Sequence, residues 1–476
     1  MKSLTLSFLF VLFLFSVQAQ ENFGVKVYEG KEKIPTYQKG PDETSPLFFT
    51  GRGVQGTSGH IYPYPAQTNL SDTLTMETYD MVYLENKYLK VTILPAFGGK
   101  LYSAIDKTNG HELFHRNSVI KPDLIGTLGA WISGGIEWCF PNHHRTTTLL
   151  PADYGIEQNE DGSATVWIGE TERNKGLRGV IGVTLHPDRS YIEADYRLNN
   201  TTDVTKTFLF WANVAVTADS NFRTSWPPSQ EIGVFHNNSS FTHWPTSHEV
   251  YYGVDYTAGV DLTWWKNHPK PVSFFYWQGK EGFIGGYDYA KKAGEVHVGD
   301  PHINQTSKLW QFGPGLEGQN ADRKLTDDGR AYVELMTGTY SNNQPDYSWF
   351  VPHSVKDAKN FWYPIRDLEI VKNANINASV TLQMRNPNTV FYGFNTTRLY
   401  KKAKSILKLG EKILKKKTID IDPSTPFTST YTSKEKSDEY QLYVELQDSD
   451  GNLIISYAPY VLKHPPLPKI RDRLKS

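Results

Sequence analysis

Short runs of alternating or β-branched residues, separated by turn residues, fill the chain from about Val82 to Tyr363. Clear examples are YLKVTIL (Tyr88 to Leu94) and TFLFWANVAV (Thr207 to Val216), and turns such as NG at 109 and 110 punctuate the series. Alternation with a period of two is typical of strands. Strands without intervening helices form antiparallel sheets that pack face to face. The sequence therefore predicts an all-β protein with a large β-sandwich over residues 76–370.

A second group of strand-like runs begins near Asn375, with NASVTLQMRN, TIDIDP and YQLYVELQDSDGNLIISY. These runs predict a small Ig-like β-sandwich over residues 371–465. LYKKAKSILKLGEKILKKK (Leu399 to Lys417) fits either a helix or a lysine-rich hairpin that turns at Gly410, and we favour the hairpin. We interpret its lysines as a solvated face or a protected edge strand.

The N-terminus has the pattern of an export signal. Lys2 precedes an apolar run from Leu4 to Val17, and small residues follow as far as Ala19. This pattern predicts a signal peptide over residues 1–19 and an exported, periplasmic or extracellular mature chain. The run has about 14 residues, whereas a membrane-spanning helix needs about 20, so we expect no membrane span. Residues 20–75 are interpreted as an N-terminal arm or extra strands, and residues 466–476 as a tail.

Composition narrows the range of partners. Lys and Arg number 50 against 51 Asp and Glu, and this balance gives no reason to expect a nucleic-acid partner. Cys139 is the single cysteine, so no internal disulfide forms. Aromatic residues reach 13%, with 12 Trp and 28 Tyr, and rings with polar edges stack well on sugars. GPGLEG (residues 313–318) matches a dinucleotide-loop pattern, but polar, turn-rich residues follow it, so we expect a plain loop and no cofactor.

HELFH (His111 to His115) matches a zinc-protease motif that works only on a helix. Here it follows the Asn109-Gly110 turn and a strand-like run, which predicts the second strand of a hairpin. On a strand the two histidines would lie roughly 13 Å apart, too far to share one ion. A zinc metalloprotease is therefore the least favoured interpretation, and we predict no metal site.

Three blocks of sequence carry a resemblance to a known family. VYLENKYLKVTILPAFGGKLYSAIDKTNGHELFHRN (Val82 to Asn117) resembles the opening strands of galactose-mutarotase-like proteins. GGIEWCFPNHHR (Gly134 to Arg145) and RAYVELMTGTYSNNQPDYSWFVP (Arg330 to Pro352) narrow the resemblance to domain-of-unknown-function family 5107, found in exported bacterial proteins. The resemblance implies a galactose-mutarotase-like β-supersandwich with a sugar-binding cleft. Members of this family usually carry tetratricopeptide repeats after the domain, and we expect this chain to be either a short member or a truncated one.

The resemblance also implies a base. Aldose epimerases take it from a Glu on a late strand, and Glu334 is similar to that residue, with Pro345-Asp346 following at a longer spacing. Exposed strand carboxylates are common, so an outward-facing Glu334 is the alternative.

The acid is less clear from the sequence. Aldose epimerases supply a histidine from a middle strand, whereas the comparable stretch here, FLFWANVAV, has none. Glu137 as a carboxylic acid, or His143 or His144 as an imidazole, are the candidates. Because side chains alternate along a strand, we expect only one of the two histidines to enter the cleft. The alternative is that both lie on a loop after Pro141-Asn142. Two opposed carboxylates, Glu137 and Glu334, would instead suit glycoside hydrolysis.

We expect the substrate to be a monosaccharide or an oligosaccharide. Candidate substrate-binding residues are rings that stack on sugars and polar side chains that bond hydroxyl groups: Trp138, Arg145, Trp211, Asn213, His302, Trp310, Gln344, Asp346 and Trp349. The loops from His236 to Gly253 and from Leu262 to Pro271 are interpreted as the cleft rim. The first hypothesis is thus an exported glycosidase or sugar epimerase with an acid/base pair. The alternative is a glycan-binding module without catalysis, and the oligomeric state stays open.

Overall fold

The computed structural model describes residues 24–51 and 59–469. The predicted signal peptide and residues 470–476 of the predicted tail lie outside these ranges, so those predictions remain predictions.

The described residues are mostly strands. In chain order these are β1 Lys26–Lys39, β2 Leu70–Glu85, β3 Leu89–Leu94, β4 Lys100–Asp106, β5 His111–Glu112, β6 Asp123–Gly126, β7 Gly129–Trp131, β8 Ile136–Cys139, β9 Asp153–Gln158, β10 Ala164–Glu172, β11 Leu177–Leu185, β12 Ile192–Asn200, β13 Lys206–Phe208, β14 Phe210–Thr217, β15 Phe222–Ser225, β16 Ile232–Val234, β17 Phe241–His243 and β18 Thr246–Ser247. They continue with β19 Val250–Tyr251, β20 Val254–Asp255, β21 Val260–Asp261, β22 Val272–Tyr276, β23 Phe283–Asp288, β24 Ala293–Gly299, β25 Asn304–Gln311, β26 Tyr332–Thr339, β27 Ser348–Phe350, β28 Ser354–Arg366, β29 Asn373–Ala374, β30 Ala378–Asn386, β31 Thr389–Thr396, β32 Tyr400–Leu409, β33 Lys412–Ile421, β34 Phe427–Thr432, β35 Leu442–Gln447 and β36 Leu453–Tyr457. The helical segments are α1 Leu316–Leu325 and 3-10 turns at His236–Asn238, Trp265–Asn267 and Glu439–Gln441.

Two antiparallel sheets form the main body. The large sheet has 12 strands in the order β1-β2-β3-β4-β8-β14-β26-β25-β22-β16-β17, with β5 paired to β4. The second sheet has eight strands in the order β15-β23-β24-β28-β12-β11-β10-β9. Apolar side chains from both sheets meet in one continuous core. The all-β fold predicted from the alternating sequence, and the supersandwich that the resemblance implies, are therefore confirmed.

The two faces of the large sheet differ because side chains alternate along each strand. On β8 and β26, Trp138, Val333 and Leu335 point into the core between the sheets. Their neighbours Glu137 and Glu334 therefore point to the opposite side, which we call the open face.

Residues 373–457 form a smaller pair of four-stranded sheets, β29-β30-β31-β34 and β33-β32-β35-β36, around their own apolar core. Within it, β32 and β33 pair antiparallel and are joined at Gly410, which has a φ of 55°. The lysine-rich stretch is thus the predicted hairpin, and the helical alternative is wrong.

HELFH does not form a helix. His111 and Glu112 make up β5, which pairs with Ile105 and Asp106 of β4 as the second strand of a hairpin. His115 is buried, and its Nδ1 lies 2.9 Å from Thr217 Oγ1. Because the zinc motif needs both histidines on one helical turn, the structure contradicts the zinc metalloprotease interpretation.

The segment after GPGLEG differs from the prediction. α1 occupies residues that the sequence analysis read as polar and turn-rich. β25, which precedes it, pairs antiparallel with β26, so the segment lacks the parallel strand that a dinucleotide loop requires. A Cβ on Gly313 would lie 2.2 Å from the carbonyl oxygen of His268, so this glycine permits a close backbone approach. Among the described residues, no helix is long and apolar enough to cross a membrane.

Candidate functional site

Neighbouring strands of the large sheet bring polar side chains together on the open face. Glu137 of β8 lies opposite Asn213 of β14. Glu334 of β26 lies opposite Ala215 of β14 on one side and Trp310 of β25 on the other. Antiparallel register therefore gathers residues that lie up to about 200 positions apart in the chain.

A cavity of about 450 Å³ opens above these strands. Aromatic, imidazole and charged side chains share its wall, namely Ile125, Trp131, His143, His144, Phe235, His236, Tyr252, Lys308, Trp310, Phe312, Glu334 and Pro345. Small-molecule sites typically combine apolar walls with a few convergent polar groups in this way.

Glu137 holds His144 in place. Its Oε2 accepts hydrogen bonds from Trp131 Nε1 (2.9 Å) and from His144 Nδ1 (2.8 Å), and its Oε1 accepts from the Arg145 amide (3.2 Å). Burial would raise the pKa of the Glu137 carboxyl, but the charge and hydrogen bond of His144, with the charge of Lys100, hold that pKa well below its usual range. Glu137 is therefore an ionised positioning group rather than a carboxylic acid that donates a proton.

His143 and His144 both line the cavity, with ring centroids 4.2 Å apart. The expectation that only one would enter it is wrong, because the two residues lie in the loop after β8, where the alternation of a strand does not apply. His144 Nδ1 is bonded to Glu137, and its Nε2 has no hydrogen-bond partner among residues 24–51 and 59–469. Burial and the neighbouring charges of His144 and Lys308 lower the pKa of His143 far below its usual value, so this ring is neutral.

Glu334 is 6% exposed at the cavity wall. Burial raises the pKa of its carboxyl, and the charge of Lys308 and a hydrogen bond from Asn213 oppose that shift. In turn, burial lowers the pKa of Lys308 to about 8, and the charge of Glu334 acts the other way. A buried carboxylate with a raised pKa is a stronger base than an exposed one, which suits proton abstraction near neutral pH.

Gln344 and His236 complete this side of the cavity. Lys308 Nζ donates to Gln344 Oε1 at 2.6 Å, so Gln344 fixes the lysine and lies behind it. The Nδ1 of His236 lies 2.7 Å from Ser273 Oγ, and its ring packs edge-on to Trp310 at 5.8 Å. Burial and the charge of Lys308 lower the pKa of His236 well below its ordinary value.

Trp138 and Arg145, which were predicted to bind substrate, stabilise the fold instead. Trp138 faces the core between the sheets, where it packs against Tyr196 and Trp362. Arg145 is 3% exposed and bonds Glu170, Thr147 and the carbonyl of Gly98. Neither side chain reaches the cavity.

Four further predicted residues lie elsewhere. Trp211 is on the open face but buried beneath the cavity against Cys139, Phe275 and Met336. Trp349 is 71% exposed on β27. His302 lines a separate hollow with Trp277 and Pro301, and Asp346 does not line the cavity.

Several cavity residues were not singled out by the sequence analysis. Lys308 precedes Trp310 by two positions on β25, so the period of two could have placed both on one face. His236 and Tyr252 belong to the stretch predicted as rim. Trp131 and Phe312 carry no local signal, because their position depends on the path of loops between strands.

Among the residues that the structure describes, Cys139, His143 and His144 form a group that could hold a metal ion, with one ligand atom from each within 4.8 Å of the others. Zinc bonds of about 2.0–2.3 Å place ligand atoms closer together than that, so the group would need to contract around an ion. The prediction of no metal site, made from the sequence, stays a prediction.

Comparisons with known proteins agree with this division of the chain. The family model described as a domain of unknown function (DUF5107) matches residues 57–365, and the model described as the second domain of YphG-like proteins matches residues 373–457.

Solved structures show a similar fold. A protein with tetratricopeptide repeats from Parabacteroides distasonis is 24% identical, with a TM-score of 0.62, over 72% of this chain and 55% of its own. This chain thus spans about half the length of that protein. A galactose mutarotase-like protein from Clostridium acetobutylicum is 11% identical over 60% of this chain and 96% of its own, with a TM-score of 0.42. A galactose mutarotase-related enzyme from Lactobacillus acidophilus is also 11% identical, over 60% of this chain and 97% of its own, with a TM-score of 0.40.

Proposed function

We propose, from the premise that the chain belongs to the DUF5107 family, that its cavity interconverts the anomers of an aldose by acid–base catalysis. The observation that carries the proposal is the pair of groups in one aromatic-walled cavity, the carboxyl of Glu334 and the free Nε2 of His144. Fold similarity alone does not select a reaction, so the argument rests on these groups.

The chemistry needs one base and one acid. Glu334 takes the proton of the anomeric hydroxyl group while the protonated His144 donates from Nε2 to the ring oxygen, and the ring C–O bond breaks to give the open-chain aldehyde. Rotation and the reverse transfers then close the other anomer. The ionised Glu137 stabilises the protonated imidazole and fixes its Nδ1 hydrogen, as carboxylates do for catalytic histidines in general.

In the proposed site, His144 takes the place of the histidine that aldose epimerases carry on the middle strand. Asn213 stands on β14, where the resemblance implies the acid, and Glu137 is its direct neighbour across the strands. His144 reaches the same region of the open face from the loop after β8 and is held there by Glu137.

Glycoside hydrolysis is less well supported than anomer interconversion. It uses two carboxyl groups that flank the bond, and the second candidate, Glu137, is committed to Trp131, His144 and the Arg145 amide. A glycan-binding module without catalysis is the second candidate function, because Trp131, Tyr252, Trp310 and Phe312 give the cavity rings on which sugars stack.

The test follows freshly dissolved pure anomers of a panel of aldoses by NMR, with wild type, Glu334→Gln and His144→Gln. We expect the wild type to accelerate equilibration and each variant to lose about 10²–10⁴-fold of that acceleration. His353→Gln, at an exposed position just before β28 and outside the cavity lining, serves as the matched control. Release of reducing ends from glycans without anomer interconversion would favour the hydrolase, and saturable sugar binding without either reaction would favour the binding module.

Export remains part of the proposal. The charged start, the apolar run from Leu4 to Val17 and the small residues up to Ala19 support it. N-terminal sequencing of protein recovered from an expressing bacterium should give a mature chain that starts near Gln20, and an intact Met1 would contradict it.

A further inference from the structure

A second cavity lies where the main body meets the smaller pair of sheets. Its volume is about 240 Å³. The end of β15 and residues 226–230 form one wall, residues 370–372 form the floor, and Tyr457 and Tyr460 close the other side. We call it the junction cavity. None of its lining residues belongs to the proposed catalytic cavity.

Aromatic rings supply its apolar surface. Trp226 and Trp244 pack edge-on with centroids 5.0 Å apart, and both are nearly fully buried. Their neighbours at the wall include Pro227, Pro245 and Tyr460. The Nε1 of Trp226 already donates to Thr224 Oγ1, so this ring presents carbon rather than its polar edge. Flat apolar surface of this kind stacks on the C–H faces of a sugar.

Polar groups at the same wall lack partners. Gln230 is 1% exposed, and neither its Oε1 nor its Nε2 has a hydrogen-bond partner among the described residues. Buried amides are nearly always bonded, so this side chain indicates a missing partner. Within the same described ranges, Lys372 and Glu439 line the cavity without an ion pair or a side-chain hydrogen bond.

The charges in the junction cavity balance. Arg223 is paired with Asp261 at 2.8 Å, so their charges offset each other. The remaining ammonium group of Lys372 and carboxylate of Glu439 cancel each other. An amide, one cation and one carboxylate together offer both donors and acceptors without a net charge, which matches a ligand rich in hydroxyl groups.

We propose that the junction cavity binds a neutral sugar ring, as a free sugar or as the end of a glycan. Its volume is below the roughly 300 Å³ typical of sites for drug-sized ligands, so one pyranose ring fills it. The ring would stack on the tryptophan wall, and its hydroxyl groups would bond Gln230, Lys372 and Glu439. This site is additional to the proposed catalytic function and does not depend on it.

The test is calorimetric titration of the full chain with methyl glycopyranosides, the matching short oligosaccharides and a uronate. We expect a neutral glycoside to bind and the Gln230→Met and Lys372→Met variants to weaken it at least tenfold. Lys401→Met, an exposed lysine of β32, is the matched control and should bind like the wild type. Equal affinity for a glycoside and its oligosaccharide identifies a free sugar as the ligand, and tighter oligosaccharide binding identifies a glycan end.

Catalysis provides an independent readout. Gln230→Met and Lys372→Met should keep full anomer interconversion, and Glu334→Gln should keep binding at the junction cavity, so failure of one proposal leaves the other intact. Unchanged affinity in both junction variants, absence of binding by every neutral glycoside, or preference for the uronate would overturn the inference.

Discussion

Glu137 and Glu334 lie on the same face of one sheet, yet their carboxyl pKa values are shifted in opposite directions. Burial raises the pKa of both carboxyl groups. For Glu137 the charge and hydrogen bond of the adjacent His144 outweigh that effect, whereas for Glu334 the more distant charges of Lys308 and His144 and a hydrogen bond from Asn213 only partly oppose it. Environments that separate two titratable groups in this way commonly assign them different roles. In the proposed reaction, Glu137 positions a histidine and Glu334 abstracts a proton.

The hydrogen bond from Asn213 is one of the interactions that lower the pKa of Glu334. Asn213 stabilises the charged carboxylate, so its loss raises the pKa of Glu334 further. In Asn213→Leu the base becomes ionised only at higher pH, and the rising limb of kcat/KM for anomer interconversion should move to higher pH. The pH–rate profile measures this shift. Asn342→Ala, an exposed change on the loop after β26, should leave the profile in place, and an unshifted limb in Asn213→Leu would exclude Glu334 as the base.

Glu137→Gln keeps the shape of the side chain but removes the charge beside His144. Because the protonated imidazole loses its counter-charge, we expect kcat to fall about 10²-fold with a smaller change in KM. Steady-state kinetics on the preferred aldose checks the split. A higher KM with an unchanged kcat would mean that Glu137 acts on binding only.

Chelation separates acid–base catalysis from metal catalysis. If Glu334 and His144 act without an ion, dialysis against EDTA leaves the rate unchanged, and Cys139→Ala retains activity. Loss of activity that zinc restores would assign Cys139, His143 and His144 as a metal site. Metal analysis of the purified protein is the accompanying measurement.

Residue positions within strands were largely predictable, and positions within loops were not. The sequence placed Glu334 and Trp310 in one site, and alternation along β8 could have separated Glu137 from Trp138. His143 and His144 were predicted to diverge because a strand rule was applied to a loop. Trp349 was predicted as a stacking ring from its neighbours in sequence, but it lies on the surface.

At the level of elements, the turn between β3 and β4 of the large sheet packs against the second sheet. Gly99 has a φ of 65°, and a Cβ there would lie 2.1 Å from Ile168 Cγ2 on β10. Ile168 is fully buried and β-branched, so it has little freedom to move. Glycine at position 99 is thus required by packing between the sheets as well as by backbone conformation.

A matched pair of alanine substitutions tests this turn. Gly110 also has a positive φ, of 76°, but a Cβ there meets nothing within 4 Å. Gly110→Ala should lower the free energy of unfolding by about 1 kcal/mol, the cost of the left-handed conformation. Gly99→Ala should lower it by about 2–4 kcal/mol, since overpacking adds to that cost. Urea unfolding measures both, and equal losses would mean that the contact with Ile168 is relieved at little cost.

The sequence predicted the type of a strand or helix correctly where its hydrophobic pattern extended over many residues. The hairpin of β32 and β33 was predicted from Gly410 between two lysine-rich runs. α1 was missed because its ten residues are mostly polar and its apolar contact is confined to few positions such as Leu325. A short helix at a surface gives too weak a period to detect.

For the whole molecule, buried neutral histidines govern stability in mild acid. Burial lowers the pKa of His115, His268 and His297 to about 4, from 6.5. At pH values between these two pKa values, the three histidines bind protons in the unfolded chain but stay neutral in the folded protein. The free energy of unfolding therefore falls as the pH drops from about 6.5 towards 4, by up to about 1.4 kcal/mol per pH unit for each histidine.

Urea unfolding at several pH values measures this slope. His268→Gln should reduce the slope, because it removes one histidine that is protonated in the unfolded chain and neutral in the folded protein. His353→Gln, at an exposed position, should leave the slope unchanged. An identical slope in wild type and His268→Gln would show that His268 takes up a proton in the folded state.

The alternation along β26 has a consequence for changing the protein in the laboratory. Val333 and Leu335 support the core, while Glu334 and Met336 between and beyond them face the other way. Libraries restricted to the open-face positions of β8, β14, β25 and β26 can therefore vary substrate choice while the packing between the sheets is left untouched. Insertion of a single residue into any of these strands would turn core-facing side chains to the open face and open-face side chains into the core. These positions can therefore be varied by substitution but not by insertion or deletion.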